Sequence, residues 1–219
     1  VLVGGGPTGV EMAGELVELF DTLTRDYPDF DVREQARVIL LEMQDHLLQG
    51  YDTSLQQYTR RTLENRGVEV QTSATVARVE SDAVVLDTGT RIPTQTLIWA
   101  AGVQASPLAD FLDTERTRSG QVVVSDHLTL PAHDDVFVVG DMAAIQRDAS
   151  GDWLPQLAQV AIQSGEHAAT QIQADVRGRA RIDFSYSDYG QMATIGRNAA
   201  VAELAGGLKF KGVIAWLMW

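Results

Sequence analysis

Short apolar runs alternate with amphipathic stretches along this chain, and the rhythm predicts an α/β fold. Val1-Leu2-Val3 closes a buried strand and a glycine turn follows it. Val10, Ala13, Leu16, Val17, Phe20 and Leu23 then keep the spacing of one helical face. Asp21 to Arg37 is polar and holds Tyr27-Pro28-Asp29, a helix stop and surface insertion. Val38-Ile39-Leu40-Leu41 is apolar throughout, as a parallel strand covered on both faces should be. Ser54 to Arg66 places Leu55, Tyr58 and Leu63 on one side of a helix that Gly67 closes, and Val68-Glu69-Val70 is a short strand after it. From Ala74 to Ile92, Val76, Val79 and Val84-Val85-Leu86 surround the turn Asp87-Thr88-Gly89-Thr90, the pattern of an antiparallel meander. Thr96 to Gly102 is a buried strand ending in small residues, which let a cofactor or a second backbone come close.

The second half is patterned less strongly. Pro107 begins a short helix or turn, Gln121 to Val124 reads as a strand, and Val136-Phe137-Val138-Val139 is a four-residue apolar strand ending in Gly140-Asp141. Pro155 suits the first turn of a helix that runs to Asp175. Ile182 to Phe210 is expected as short strands with turns at Gly190, Gly196 and Gly206-Gly207. Gly212 then leads into Val213-Ile214-Ala215-Trp216-Leu217-Met218-Trp219.

Chemistry enters with the first turn. Gly4, Gly6 and Gly9 have the G-x-G-x-x-G spacing of a dinucleotide-binding βαβ unit. The first glycine permits the tight turn, the second admits the pyrophosphate, and the third lets the helix pack against the strand. The helix then points unpaired N–H groups and its positive dipole end at phosphates. Glu42 ends the second apolar strand, where a carboxylate accepts from ribose hydroxyls and repels a 2′-phosphate, favouring NAD over NADP. The plain alternative for Glu42 is a solvated strand end. Asp141 stands at the end of another strand, either at a ligand crevice or as a helix N-cap. Gln159 and Gln163 are four apart beside small residues, so they share a helical face that meets a polar ligand or solvent. Lys209 and Lys211 stand just before the Trp-containing tail, which suits either an interfacial membrane helix or a C-terminal core helix.

Composition narrows these readings. The 219 residues suffice for one large or two smaller domains, with 45% hydrophobic and 21% charged residues, as in a folded globular protein. Cysteine is absent, which removes disulfides, thiolate metal sites and a redox-active dithiol from this chain. A net charge of −13 argues against a nucleic-acid backbone as partner. The sequence starts inside a strand and stops inside an apolar run, so a longer parent polypeptide is expected.

Together, Gly4-Gly5-Gly6-Pro7-Thr8-Gly9-Val10-Glu11, Trp99-Ala100-Ala101-Gly102-Val103, Val139-Gly140-Asp141 and Ala158-Gln159-Val160-Ala161-Ile162-Gln163 resemble the type II NADH dehydrogenases, single-subunit NADH:quinone oxidoreductases that do not pump protons. Gly196-Arg197-Asn198 and Ala215-Trp216-Leu217 are similar to the same family, and the helix with paired glutamines is the more specific stretch. The resemblance implies a Rossmann-like FAD/NAD(P)-binding fold with a small α+β C-terminal part. Residues 1–102 would be the NAD-binding domain, 103–175 a return to the FAD-binding domain, and 176–219 a C-terminal domain leading to a membrane-interface segment. The family's first glycine motif, for the adenosine diphosphate of FAD, does not occur in this sequence.

The implied reaction is hydride transfer from NADH to FAD, then electron transfer to a membrane quinone. Gly4, Gly6, Gly9 and Glu42 would hold NADH, Ala101 and Gly102 would lie against a cofactor, and Glu11 would orient the reacting rings; read without the resemblance, Glu11 balances a helix dipole. Gly140 and Asp141 would hold FAD, Ala158 would donate a backbone N–H to the flavin, and Gln159 and Gln163 would line the quinone pocket. The implied location is peripheral, on the cytoplasmic face of the cell membrane, and a homodimer stays open. Related disulfide and sulfide:quinone reductases depend on cysteines this chain lacks. A ferredoxin- or rubredoxin-type flavoprotein reductase lacks the glutamine helix, and a non-catalytic dinucleotide-binding scaffold has no need of it.

Overall fold

Two consecutive residues of the opening strand face opposite ways, and that alternation sets the layering. The computed structural model describes residues 1–27, 29, 32, 36–147 and 151–219. Strands β1 (Leu2–Val3), β2 (Val38–Leu41) and β3 (Val68–Gln71) are parallel, with Leu2 beside Leu40 and Val38 beside Val68. Helix α1 (Pro7–Asp26) follows β1, and α2 (Thr53–Asn65) lies between β2 and β3. Leu2, Val38, Leu40 and Val68 pack beneath both helices, against Val10, Ala13 and Val17 of α1 and Leu55 and Leu63 of α2. Their neighbours Val3, Ile39 and Leu41 point the other way, onto Val84, Leu86 and Ile92.

Those last residues belong to the antiparallel meander β4 (Val76–Val79), β5 (Ala83–Leu86) and β6 (Arg91–Pro93). The period-two alternation of the parallel strands therefore feeds two separate apolar layers. Asp52 caps α2 by accepting from the Ser54 N–H at 2.9 Å. The strand expected over Thr96 to Gly102 contracts to β7 (Ile98–Trp99), which joins β1 in parallel and gives the sheet order β3-β2-β1-β7. Helix α1 ends at Asp26 with Tyr27 as its C-cap. The insertion expected beyond it falls largely outside the described residues.

The chain forms two compact units, Val1–Gly102 with Tyr189–Trp219, and Val103–Asp188. In the second unit, Pro107–Phe111 forms a 3-10 turn capped by the Ser106 hydroxyl. Strand β8 (Val122–Val123) pairs in parallel with β11 (Ala143–Ala144), and β9 (Thr129–Leu130) pairs antiparallel with β10 (His133–Phe137). The strand expected over 136–139 is thus displaced toward the N-terminus, because Leu130 draws His133 into the hairpin. Helix α3 spans Ala158–Val176 and starts three residues after Pro155. Leu154 donates to the Ile145 carbonyl and Trp153 bridges Gln146, which holds Trp153 and Leu154 extended, and the Leu157 N–H then turns back onto the Pro155 carbonyl before the helix begins.

Residues from Tyr189 onward, expected as part of a separate C-terminal domain, lie in the first unit. Strands β12 (Gly190–Thr194), β13 (Ala200–Leu204) and β14 (Lys209–Gly212) form an antiparallel meander. Ala193 and Ile195 share the core of α1 and α2. The contact is close: a Cβ on Gly14 of α1 would stand 2.5 Å from the Ile195 carbonyl oxygen. The short helix α4 (Val213–Met218) buries Ala215 against Ala200 and Ala202, leaving Val213, Ile214, Leu217 and Trp219 exposed. Among the described residues no helix is long and apolar enough to cross a membrane.

Candidate functional site

The glycine turn is built by close approach. Gly4 has φ +111°, a backbone state costly for any side chain, and a Cβ there would meet the Ala100 oxygen at 2.4 Å. A Cβ on Gly9 would lie 1.8 Å from the Gly4 oxygen, so the first turn of α1 rests directly on the strand end. Gly6 is different. Among the described residues nothing lies within 4 Å of the position its Cβ would take. Gly6 is also the N-cap of α1, and Pro7 after it removes one of the N–H groups that a helix start leaves unpaired. The remaining donors and the positive end of a 20-residue helix meet the open space at Gly6, a cradle suited to a pyrophosphate.

Glu42 flanks this cradle. Its carboxylate accepts from the Gly5 N–H at 2.5 Å and the Gln44 N–H at 2.8 Å. The sequence-predicted strand-end carboxylate is thus bound to the glycine loop itself, and Leu48 adds a second tie by donating to the Gly5 carbonyl at 2.8 Å. Ala101 stands on the other side, its Cα 2.8 Å from where a Gly4 side chain would begin, with Gly102 exposed beyond it. Gly4, Gly6, Gly9, Glu42 and Ala101 are therefore gathered at the carboxyl ends of β1, β2 and β7.

Glu11 sits one turn into α1, half-buried. Its carboxylate accepts from the Thr194 N–H of β12 at 3.3 Å. Burial raises its pKa above the ordinary carboxylate value; the Thr194 hydrogen bond works against that rise and the Glu15 charge adds to it. Sequence reasoning had no means of finding Thr194, because the contact spans 183 residues and depends on the meander docking on α1.

In the second unit, Gly140 and Asp141 form the 3-10 turn Gly140–Met142. The Gly140 N–H donates to the hydroxyl of the buried Ser164 at 3.1 Å, which fixes the turn against α3. The Asp141 carbonyl accepts from the Gln156 side chain at 2.8 Å, and its carboxylate side is exposed. Ala158 is the first residue of α3, and Gln159 and Gln163 follow on its first turns. The Gln163 amide is engaged at both ends, donating to the Ser187 carbonyl and accepting from the Ser187 N–H, each at 2.9 Å. Ser164 and Ser187 were not singled out in the sequence. A small polar residue between Gln163 and Gly165 was the one local signal for Ser164.

Residues 1–165 match the pyridine nucleotide-disulphide oxidoreductase family. The chain is 39% identical, over all of its length and 48% of the relative's, to the type II NADH:quinone oxidoreductase Ndh of Mycobacterium tuberculosis. To NdhA of the same organism it is 40% identical, again over 48% of that protein. The chain thus spans about half the length of the curated relatives it matches. The solved structure of NDH2 from Plasmodium falciparum in complex with NADH shares the fold at a TM-score of 0.86 and 16% identity, covering 99% of this chain and 60% of that one. The parallel sheet, the glycine cradle and the family match agree: this chain, with its Rossmann-like FAD/NAD(P)-binding fold, belongs to the pyridine nucleotide-disulphide oxidoreductase family.

Proposed function

We propose that this chain is the nicotinamide-binding and C-terminal portion of a flavin-dependent NADH:quinone oxidoreductase of the type II class. The observation that carries the reading is the glycine cradle, closed at Gly4 and Gly9, open at Gly6 and flanked by Glu42, in a chain 39% identical to an NADH:quinone oxidoreductase. When bound, FAD supplies the redox chemistry, taking hydride from NADH and passing electrons on to a quinone. The chain's own residues bind and orient. Gly4, Gly6 and Gly9 seat the pyrophosphate of NADH, and Glu42 takes the ribose hydroxyls in exchange for one of its two backbone donors. A 2′-phosphate there would meet a carboxylate already held in place, which disfavours NADPH. Glu11 orients the nicotinamide end.

In the second unit, Asp141 accepts from hydroxyls of the FAD chain. The first turn of α3, at Ala158, presents N–H groups to an oxygen that gains negative charge. Gln159 and Gln163 meet the quinone, with Ser187 holding the Gln163 amide plane in a fixed orientation. A lipid-soluble acceptor requires contact with a bilayer. The exposed Ile214, Leu217 and Trp219 of the tail supply it as a peripheral anchor beside Lys209 and Lys211.

The test is purification of the full-length polypeptide with FAD, followed by NADH oxidation with a short-chain quinone as acceptor. Retained flavin that NADH bleaches and quinone restores supports the reading. A protein that stays colourless with excess FAD, or whose flavin NADH does not reduce, overturns it.

A further inference from the structure

Gly196-Arg197-Asn198 lies in the turn between β12 and β13, and one ion pair drawn from two helices clasps its backbone. Arg66, the C-cap of α2, donates to the Glu18 carboxylate of α1 at 2.6 Å and to the Arg197 carbonyl at 2.6 Å. The same Glu18 carboxylate accepts from the Arg197 N–H. A Cβ on Gly196 would meet the Arg66 guanidinium at 2.2 Å, so the turn lies directly on the pair. Both charges are partly buried, and each is engaged by the other and by backbone.

Beside this clasp opens a cavity of about 460 Å³, a size usual for small-molecule sites. It is remote from the glycine cradle. Gly6 caps the start of α1, whereas the cavity wall takes in Thr22 and Arg25, so the two sites stand roughly 24 Å apart at about 1.5 Å of helix rise per residue. The chain carries a net charge of −13, yet Arg25, Arg66 and Arg197 converge here against two carboxylates, Glu18 and Asp21. Arg66 is taken up by the clasp. The guanidinium groups of Arg25 and Arg197 are exposed and have no hydrogen-bond or ion-pair partner among the described residues. Compensation of helix dipoles accounts for Arg25 and Arg66, at the ends of α1 and α2, but not for Arg197, which comes from a turn between strands.

We propose that this cavity binds a small phosphorylated polyol, with its phosphate on Arg25 and Arg197 and its hydroxyls on the rest of the wall. Two planar guanidinium forks suit a phosphate, which offers three oxygens and up to two charges; a single carboxylate fills one fork. The remaining wall selects against further negative charge. Glu18 and Asp21 repel a second anionic group and accept from hydroxyls. The Thr22 hydroxyl donates to the Glu18 carbonyl at 3.1 Å, so it meets a ligand as an acceptor, and the Asn65 amide can both donate and accept. A dicarboxylate without hydroxyls would set its second charge against Glu18 and Asp21. The assignment is independent of the NADH and quinone chemistry proposed above.

The test is calorimetric titration of the full-length polypeptide with glycerol 3-phosphate, in a low-salt buffer free of phosphate. Saturable binding is expected, weakened about tenfold or more by Arg25→Gln or by Arg197→Gln, since each removes a hydrogen bond between charged groups. Arg61→Gln is the control, an exposed arginine on α2 outside the cavity, and should leave the affinity unchanged. Inorganic phosphate should bind more weakly than glycerol 3-phosphate, and succinate more weakly again. Amide hydrogen exchange on the wild type needs no variant: the ligand should protect peptides covering residues 17–25 and 195–199. Absence of saturation at millimolar ligand overturns the proposal, as does an equal loss in Arg61→Gln, which marks unspecific charge attraction. Protection confined to residues 4–9 and abolished by NADH would place the ligand in the glycine cradle instead. Phosphate or succinate binding as tightly as glycerol 3-phosphate would remove the hydroxyl recognition and with it the proposed ligand class.

Discussion

Adding one methyl group at Gly14 tests how the C-terminal meander is attached to the nucleotide-binding layer. A Cβ at that position would stand 2.5 Å from the Ile195 oxygen, 2.6 Å from its carbonyl carbon and 2.9 Å from the Gly196 nitrogen. Carbon atoms pack comfortably at about 3.5–4.0 Å, so helix and meander must part by roughly 1 Å. Overpacking of this kind costs about 1–3 kcal/mol, and the value belongs at the upper end because backbone atoms cannot rotate aside. Against it stands a gain of about 1 kcal/mol from replacing a helical glycine with alanine. The net expectation for Gly14→Ala is a loss of about 2 kcal/mol, which for a domain of this size lowers Tm by roughly 4–8 °C.

Gly165 on α3 is the control. Nothing lies within 4 Å of its Cβ position among the described residues, so Gly165→Ala keeps only the helical gain and should be neutral or up to about 1 kcal/mol stabilising. Thermal melts of the full-length polypeptide give the two signs. Amide hydrogen exchange, read by mass spectrometry, localises the first to peptides of β12 and β13. If Gly14→Ala melts at or above the wild-type temperature with unchanged exchange over residues 190–204, the meander does not dock on α1 as described.

Glu42→Arg should weaken NADH and improve NADPH: a hydrogen bond to a charged group is worth about 1.5–3 kcal/mol, roughly ten- to hundredfold in KM. An unaltered ratio of NADH to NADPH in steady-state assays would remove Glu42 from the ribose site. Gln163→Leu strips the amide from its Ser187 clamp, and stopped flow should show quinone reduction slowed about tenfold with flavin reduction by NADH nearly unchanged. Equal losses in both half-reactions would argue for a purely structural clamp. Cutting the chain at Lys209 would test the anchor badly, because it removes β14 from the sheet along with the tail. Ile214→Asp with Leu217→Asp is cleaner: both side chains are exposed, at 63% and 73%, so the fold should persist while sedimentation with liposomes falls. Undiminished co-sedimentation would refute the anchor.

How much of the site could be read before the fold was known differs residue by residue. Gly4, Gly6, Gly9 and Glu42 were legible because the strand-turn-helix unit is local in sequence, and each member has a distinct steric or hydrogen-bonding task within it. Gln163 was legible as a residue sharing a helical face with Gln159, meeting a polar ligand or solvent, but not as one held by Ser187, 24 residues away. The helix start was placed too early, at Pro155. A proline marks where a helix can begin, whereas here the pairing of Trp153 and Leu154 with Ile145 and Gln146 held the chain extended.

Taken alone, the order of amino acids determined the parallel strands, the glycine cradle and the carboxylate beside it, since period-two and helical spacing are written within a dozen residues. Only the tertiary structure decided that the last thirty-one residues fold back onto α1 and that Glu11 meets Thr194. The reason is distance along the chain. A contact between residues 11 and 194 has no local pattern, and it arises only when Gly14 lets two backbones approach closer than any side chain would allow.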